Sequence, residues 1–192
     1  MTLARKIGKG LGDLPNSKAV AHFDQAVDSC FDAHVRGKPA LDRLMYTASE
    51  VGDHSMIWLA LAALQGPVSG RGCRPLVRAG ALLGAESALV NGLVKLAFRR
   101  ERPDVTGPHP LPLRTPLTSS FPSGHASAAF FAAALLRNGA SWPIYYTVAS
   151  IVASSRVHVR MHHASDVIAG AALGAALGEL ARAVFPLLPP QR

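Results

Sequence analysis

Three short runs hold the residues best suited to chemistry: "KLAFRRERP" at 95–103, "SSFPSGHAS" at 119–127 and "SRVHVRMHHASD" at 155–166. In the first, Lys95 and Arg102 are seven apart, two helical turns, so a helix continued to Pro103 would project both cations from nearly one face. A basic helix end answering its own dipole, or anchoring in lipid headgroups, would look the same. In the second, Pro122, Ser123 and Gly124 stand where cap and first-turn residues stand, ahead of an Ala-rich run. Free N–H groups at such an end form an anion site, with His125 in the first turn facing it; an ordinary capped helix is the plainer alternative. In the third, Arg156 can grip oxyanions in a bidentate way. His162 and Asp166 are four apart, so a helical turn lets the carboxylate reach the ring. A carboxylate that accepts from one ring nitrogen leaves the other free as a nucleophile, although a purely structural His–Asp pair has the same spacing. His158 and His163 show no obvious partner.

Read together, three cations, an amide cradle and two histidines match the needs of phosphoryl transfer. Charge must be stabilised, phosphorus must be attacked and a leaving oxygen must be protonated. HExxH is missing and carboxylates are sparse among these cations, so no metal and no cofactor is expected.

The elements that must position these runs are apolar. After Asp53 come stretches at roughly 54–69, 76–98, 124–137, 141–156 and 165–187, rich in Ala, Leu and Gly and without alternation. They predict closely packed helices rather than strands. Arg78, Glu86 and Asn91 interrupt the second, and several fall short of the ~20 residues of a spanning helix. If the five are antiparallel, the connections carrying the reactive runs fall at one end, a common mouth. Upstream, residues 18–50 mix charge and apolar residues at helical spacing, and Gly37-Lys38-Pro39 divides them into two amphipathic helices for a membrane interface or a protein surface.

The chain carries a formal charge of +8, with 49% hydrophobic and 17% charged residues. That balance suits an anionic membrane or a phosphorylated substrate. Nucleic acid is discounted, because aromatics are only 6% and the cations cluster around histidines. Cys30 and Cys73 are isolated and indicate neither a disulfide framework nor a zinc site. The first residues lack the apolar run of a signal peptide.

The motifs are similar to those of a known family. Lys95 to Pro103 fits KxxxxxxRP, "PSGH" stands at 122–125, and Ser155 to Asp166 fits SRxxxxxHxxxD. In this order they resemble the three signatures of the type 2 phosphatidic acid phosphatase (PAP2) family of metal-independent, mostly integral-membrane lipid phosphatases. The resemblance implies that His162 attacks phosphorus to form a phosphohistidine, Asp166 orients it and His125 protonates the leaving alkoxide. It further implies that Lys95, Arg102, Ser123, the Gly124 amide and Arg156 hold the phosphate oxygens. No chemistry is assigned to Pro103 or Pro122.

The expected fold is therefore all-α: one PAP2-like domain over 1–192, with an amphipathic segment at 1–50 and a bundle of about five spanning helices at 51–188. Similar proteins often have six. The expected substrate is a phosphomonoester or pyrophosphate on a diacylglycerol or polyprenol anchor, its tail reaching the mouth sideways from the bilayer. No oligomeric state is assigned. A five-helix chain puts its N-terminus on the side of the mouth with Arg5, Lys6, Lys9, Lys18, Arg36, Lys38 and Arg43, and positive-inside bias makes that side cytoplasmic. The link from Pro103 to Pro122 is too short for a sizeable lid. Two other readings share these residues: a membrane protein that binds anionic lipid without turnover, and a vanadate-holding haloperoxidase-like enzyme.

Overall fold

A computed structural model describes residues 14–104 and 118–187. Arg5, Lys6 and Lys9, most of the link between Pro103 and Pro122, and the last residues of the chain lie outside the described residues. Those described form helices and irregular connections, without strands. After a short 3₁₀ turn at Leu14–Asn16 come α1 (Lys18–His34) and α2 (Pro39–Val51), then a 3₁₀ turn at Asp53–Ser55 and α3 (Met56–Val68). Helix α4 (Arg74–Ser87) runs on through a π-helical turn at Ala88–Leu93 and a 3₁₀ turn at Val94–Ala97. The last three are α5 (Gly124–Leu136), α6 (Trp142–His158) and α7 (Ala164–Val184).

Helix α5 is the axle. Nine of its thirteen residues are buried, and Phe131, Leu135 and Leu136 pack with Trp58 of α3, Leu83 of α4 and Val152 of α6 into the main core. Helix α7 lies against it along Gly170, Gly174 and Gly178, one face of a helix at four-residue spacing. A side chain at these positions would meet the backbone of Ser123, Ser127 and Phe131 respectively. Only glycine allows so close a crossing, the geometry that small-residue stripes give helices in lipid. The small residues of "AGAALGAALGEL" thus place the start of α7 directly beside the start of α5.

Two helices among the described residues, Arg74–Ala97 and Ala164–Val184, are long and apolar enough to cross a bilayer, and only 28% of each apolar window is buried. Helix α5 is apolar but short. At 1.5 Å per residue it covers about 20 Å of a ~30 Å hydrocarbon core, and because its neighbours enclose it, it needs no spanning length. The expected five apolar segments are thus present as five helices, but individual spanning capacity is confined to two.

The helices alternate in direction. Helices α3, α5 and α7 begin at the end of the bundle where α4 and α6 finish, and this end is the mouth. Three helix N-termini, with their partial positive charge, converge there; three C-termini meet at the far end. Helix α1 is fastened to the mouth by a buried carboxylate. Asp24 accepts from the Ser165 amide at 2.8 Å, the Ser165 hydroxyl at 2.8 Å and Arg100 Nη2 at 2.5 Å.

Candidate active site

A cavity of about 270 Å³ opens at the mouth, lined by Lys95, Arg102, Gly124, His125, Arg156 and His162 among others. All three sequence runs therefore contribute to one space. The route to Lys95 and Arg102 differs from the expected helical face. Helix α4 widens into the π turn, tightens into the 3₁₀ turn and stops at Ala97, and Phe98 is already extended. The chain then doubles back because the Arg100 carbonyl accepts from the Ser120 amide at 2.9 Å and the Arg100 amide donates to Ser119 Oγ at 3.2 Å. That fold-back, rather than two turns of helix, brings Arg102 over the cavity. Arg102 Nη1 donates to the Met161 carbonyl at 2.7 Å, and Nη2 to the Thr118 carbonyl at 3.2 Å.

The polar interruptions of the second apolar stretch now have reasons. Asn91 sits in the π turn, lines the cavity and lies so close to Gly124 that a Cβ there would strike its side-chain amide. Glu86 is buried and accepts from the Ser127 hydroxyl of α5. Arg78 points to the far end. Ser123 is fully buried: its hydroxyl caps α5 by accepting from the Ala126 amide at 3.4 Å, and its own N–H donates to the Asp166 carbonyl at 3.0 Å. Its bonds build the end of the helix, while Gly124 faces the cavity.

His162 is held differently from the expectation. It precedes α7, and its Nδ1 stands 3.8 Å from Asp166 Oδ2, beyond hydrogen-bond reach. Nδ1 is instead 2.8 Å from the Ser120 carbonyl. A carbonyl can only accept, so Nδ1 carries the proton and Nε2 keeps its lone pair. Consistently, Nε2 lies 3.3 Å from the donor Arg102 Nη1. Asp166 is occupied elsewhere: it accepts from Ser120 Oγ at 2.5 Å, the His163 amide at 2.9 Å and Arg100 Nη1 at 2.5 Å. It reaches the ring through charge and through Ser120. Burial, reinforced by Arg156, Arg102 and Lys95 and opposed by Asp166, pulls the His162 pKa down to about 3. The ring is neutral at physiological pH, as a nucleophile must be.

The other cavity histidine has a direct carboxylate. His125 Nε2 lies 2.6 Å from Asp53 Oδ1, and this bond holds the Asp53 carboxyl below its usual range and ionised. Asp53 opens a strained turn, since His54 and Ser55 have positive φ angles of 53° and 59°. Such backbone persists only where the surroundings hold it. Arg156 is buried; its Nη1 donates to Ser49 Oγ of α2, while its Nε has no partner among the described residues.

Sequence reasoning missed Asp53, Ser120, Arg100, Ser49 and Asn91. Two of them carried a signal: Asp53 as the last carboxylate before the first apolar stretch, and Asn91 as a polar interruption of the second. His158 and His163, expected to lack partners, have structural ones: His158 Nε2 lies 2.9 Å from Asp42 Oδ1, and His163 caps α7. Among the described residues no group of His, Cys, Asp and Glu could hold a metal ion.

Comparison with known proteins decides the family. The PAP2 superfamily model matches residues 75–188. The chain belongs to the PAP2 superfamily. It is 35% identical over 139 residues to a decaprenylphosphoryl-5-phosphoribose phosphatase of Mycobacterium tuberculosis, covering 71% of this chain and 76% of that one. It is 42% identical over 102 residues to a lipid A 1-phosphatase of Porphyromonas gingivalis, covering 48% of this chain and 21% of the relative. The fold matches a transmembrane PAP2-type phosphatidylglycerolphosphate phosphatase of Bacillus subtilis with a TM-score of 0.69 and 24% identity, over 93% and 92% of the two chains. This PAP2 chain is accordingly a phosphatase, a hydrolase of phosphate esters, and an integral membrane protein.

Proposed function

We propose that the chain is a metal-independent lipid phosphate phosphatase working through a phosphohistidine on His162. The carrying observation is the cavity that sets a neutral imidazole, its unprotonated Nε2 facing Arg102, beside Lys95 and Arg156. In this reading the phosphate oxygens bind the three cations and the Gly124 amide at the N-terminus of α5, with Ser123 bracing that amide from behind. Nε2 of His162 attacks phosphorus as the bond from phosphorus to the leaving oxygen breaks, and His125 gives that oxygen a proton. Water then attacks phosphorus and loses a proton to His125, the P–N bond breaks, and inorganic phosphate leaves. Asp53 positions His125. Asp166, tied to Arg100, keeps Ser120 and the His163 amide next to the nucleophile in register.

For the substrate we infer a phosphomonoester on a polyprenyl-phosphosugar. The support is the 35% identity to a phosphatase of that substrate type over about three quarters of both chains. The exposed Leu89, Leu93 and Leu96 beside Lys95 offer a greasy approach for the tail. A phosphate-release panel of polyprenyl-phosphosugar phosphate, phosphatidate and phosphatidylglycerophosphate, in mixed micelles with chelator, tests both parts. His162→Ala should lower turnover by on the order of 10⁴-fold or more, and His125→Ala by about 10²–10⁴. Full turnover in His162→Ala, or dependence on added divalent metal, overturns the mechanism; preference for phosphatidate overturns the substrate.

The mouth is proposed to face the cytoplasm, from Lys18 on α1, Arg36 and Lys38 in the turn after it, and Arg43 on α2. Five arginines at the opposite end (Arg71, Arg74, Arg78, Arg137 and Arg182) pull the other way. The two native cysteines decide it, since both are exposed, Cys30 on α1 and Cys73 in the turn between α3 and α4. An impermeant thiol reagent added to intact cells should label Cys73 and spare Cys30; the reverse pattern inverts the orientation.

A further inference from the structure

A second cavity, of about 260 Å³, lies at the end of the bundle opposite the mouth. The C-terminal ends of α3, α5 and α7 and the start of α4 enclose it, and Arg71, Arg78, Arg137 and Arg182 line it. Part of this charge is explained by the fold. Arg78 donates from Nε to the Phe185 carbonyl at 2.6 Å and from Nη1 to the Leu135 carbonyl at 3.3 Å, capping α7 and α5 where their dipoles are negative. Gln65 Nε2 likewise donates to the Leu136 carbonyl at 3.0 Å.

The remainder is not explained. Arg137 pairs with Glu179 through Nη2, yet its buried Nε has no hydrogen-bond partner among the described residues, and neither has the buried Oε1 of Gln65. Arg182 has no ion pair or hydrogen bond among the described residues. Buried polar groups are normally paired, so an orphan donor and an orphan acceptor on one cavity wall call for a ligand carrying both functions. The catalytic cavity has the same signature, an orphan Arg156 Nε where a phosphate oxygen is expected. The far cavity has no histidine on its wall and so no group to attack or protonate. Beside it Trp142, Leu180, Val184 and Phe185 expose apolar surface, and tryptophan favours the level where headgroups meet acyl chains.

We propose that this far cavity is a non-catalytic site for the headgroup of an anionic phospholipid in the leaflet opposite the mouth. The phosphodiester accepts from Arg137 Nε and Arg182, and a headgroup hydroxyl, such as that of phosphatidylglycerol, donates to Gln65 Oε1. Acyl chains lie along the apolar ends of α6 and α7. The site rests on the bundle's place in a membrane and is independent of the catalytic reading.

The test uses the full chain in nanodiscs of phosphatidylcholine with and without phosphatidylglycerol, a diester that offers no monoester to the catalytic cavity. Phosphatidylglycerol should raise Tm by roughly 5 °C at saturation, and native mass spectrometry should find it retained. Arg137→Gln/Arg182→Gln should lose both effects, while Lys95→Ala keeps them. Arg182→Gln alone, which breaks no bond among the described residues, should lose most of the shift even if the double variant folds poorly. A shift that survives in Arg182→Gln, that disappears in Lys95→Ala, or that is equal in pure phosphatidylcholine overturns the site. An equal shift from inorganic phosphate or glycerol phosphate in detergent, lost in Arg182→Gln, overturns the lipid as its source.

Discussion

The two ends of the bundle gather arginines around cavities of nearly equal volume, yet they are built on opposite electrostatics. At the mouth, cations meet the positive ends of α3, α5 and α7, and carboxylates are threaded between them: the buried Asp24 and Asp166 on Arg100, the half-exposed Asp53 on His125. At the far end, arginines meet the negative ends of the same three helices: Arg78 satisfies the Phe185 and Leu135 carbonyls, and Arg137 pairs with Glu179. Arginine at a C-terminus is what a dipole attracts by itself. Arginine at an N-terminus is set against the dipole, and Arg100 is held there by two buried carboxylates, with Arg102 fixed by the Met161 and Thr118 carbonyls. The cost of that arrangement supports the proposal that the mouth, where His125 and His162 line the cavity, is the functional end.

The sharpest break in the comparison is Arg100→Leu. Its side chain is 6% exposed and bridges Asp24, also 6% exposed, and Asp166, fully buried. Removing it strands two buried carboxylates, and breaking a buried pair typically costs about 3–5 kcal/mol. Thermal and denaturant unfolding should register a loss of that order. The adjacent double variant Arg100→Leu/Asp24→Leu should recover part of it, because one stranded charge is gone. A loss below about 1 kcal/mol would mean that α1 is held by something other than its buried charge.

Next in size is the response to pH. The folded His162 pKa is depressed to about 3 from an ordinary value near 6.5. The unfolded chain therefore binds the proton first, and the stability tied to the neutral ring is full above pH ~6.5 and lost as pH falls toward 3. His162→Gln should unfold less steeply with acid across that window than the wild type. For the same reason, protonation of the nucleophile should not limit kcat/KM in mildly acidic solution. A basic limb that changes in Asp53→Asn would belong to the other histidine, which must hold a proton to give the leaving oxygen one.

Asp53→Asn itself should be a smaller lesion, about tenfold in kcat/KM, since the amide keeps a contact to His125 but loses the charge. A positioning role predicts that the loss shrinks for a substrate with an acidic leaving group, which needs no protonation. An equal loss for both kinds of ester would make Asp53 merely structural.

How much of this was legible in the sequence follows from the same contrast. The three runs name the cavity-facing cations and histidines because their spacing is set by local helix ends, which are read off short strings: Ser123 as a cap before Gly124, Arg156 one turn before α6 ends. The five apolar segments and their richness in small residues were also visible, as composition; the glycine stripe at 170, 174 and 178 came from the structure. What escaped were partners supplied by distant parts of the chain. Asp53 is 72 residues from His125, and Ser120 is 42 from His162; no period or local motif links them. The sequence also misled where backbone departs from the α-helix. Seven residues between Lys95 and Arg102 imply one helical face only if the helix continues, and the π and 3₁₀ turns end it at Ala97.

The smallest expected effect lies at the far end and completes the contrast between the two ion pairs. Arg137 and Glu179 approach to 2.7 Å, as close as a buried pair, but they are 34% and 46% exposed. Solvent screens such a pair, and ordering two long side chains offsets much of what remains, so exposed bridges contribute about 0–1 kcal/mol. Glu179→Gln should therefore move unfolding by less than about 1 kcal/mol, and added salt should diminish even that. The Arg100 pair, with comparable distances, should change little with salt because water does not reach it. If Glu179→Gln proved as damaging as Arg100→Leu, the far-end arginine Arg137 would be held as tightly as Arg100. The asymmetry between carbonyl-capping and carboxylate-held arginines would then have to be abandoned.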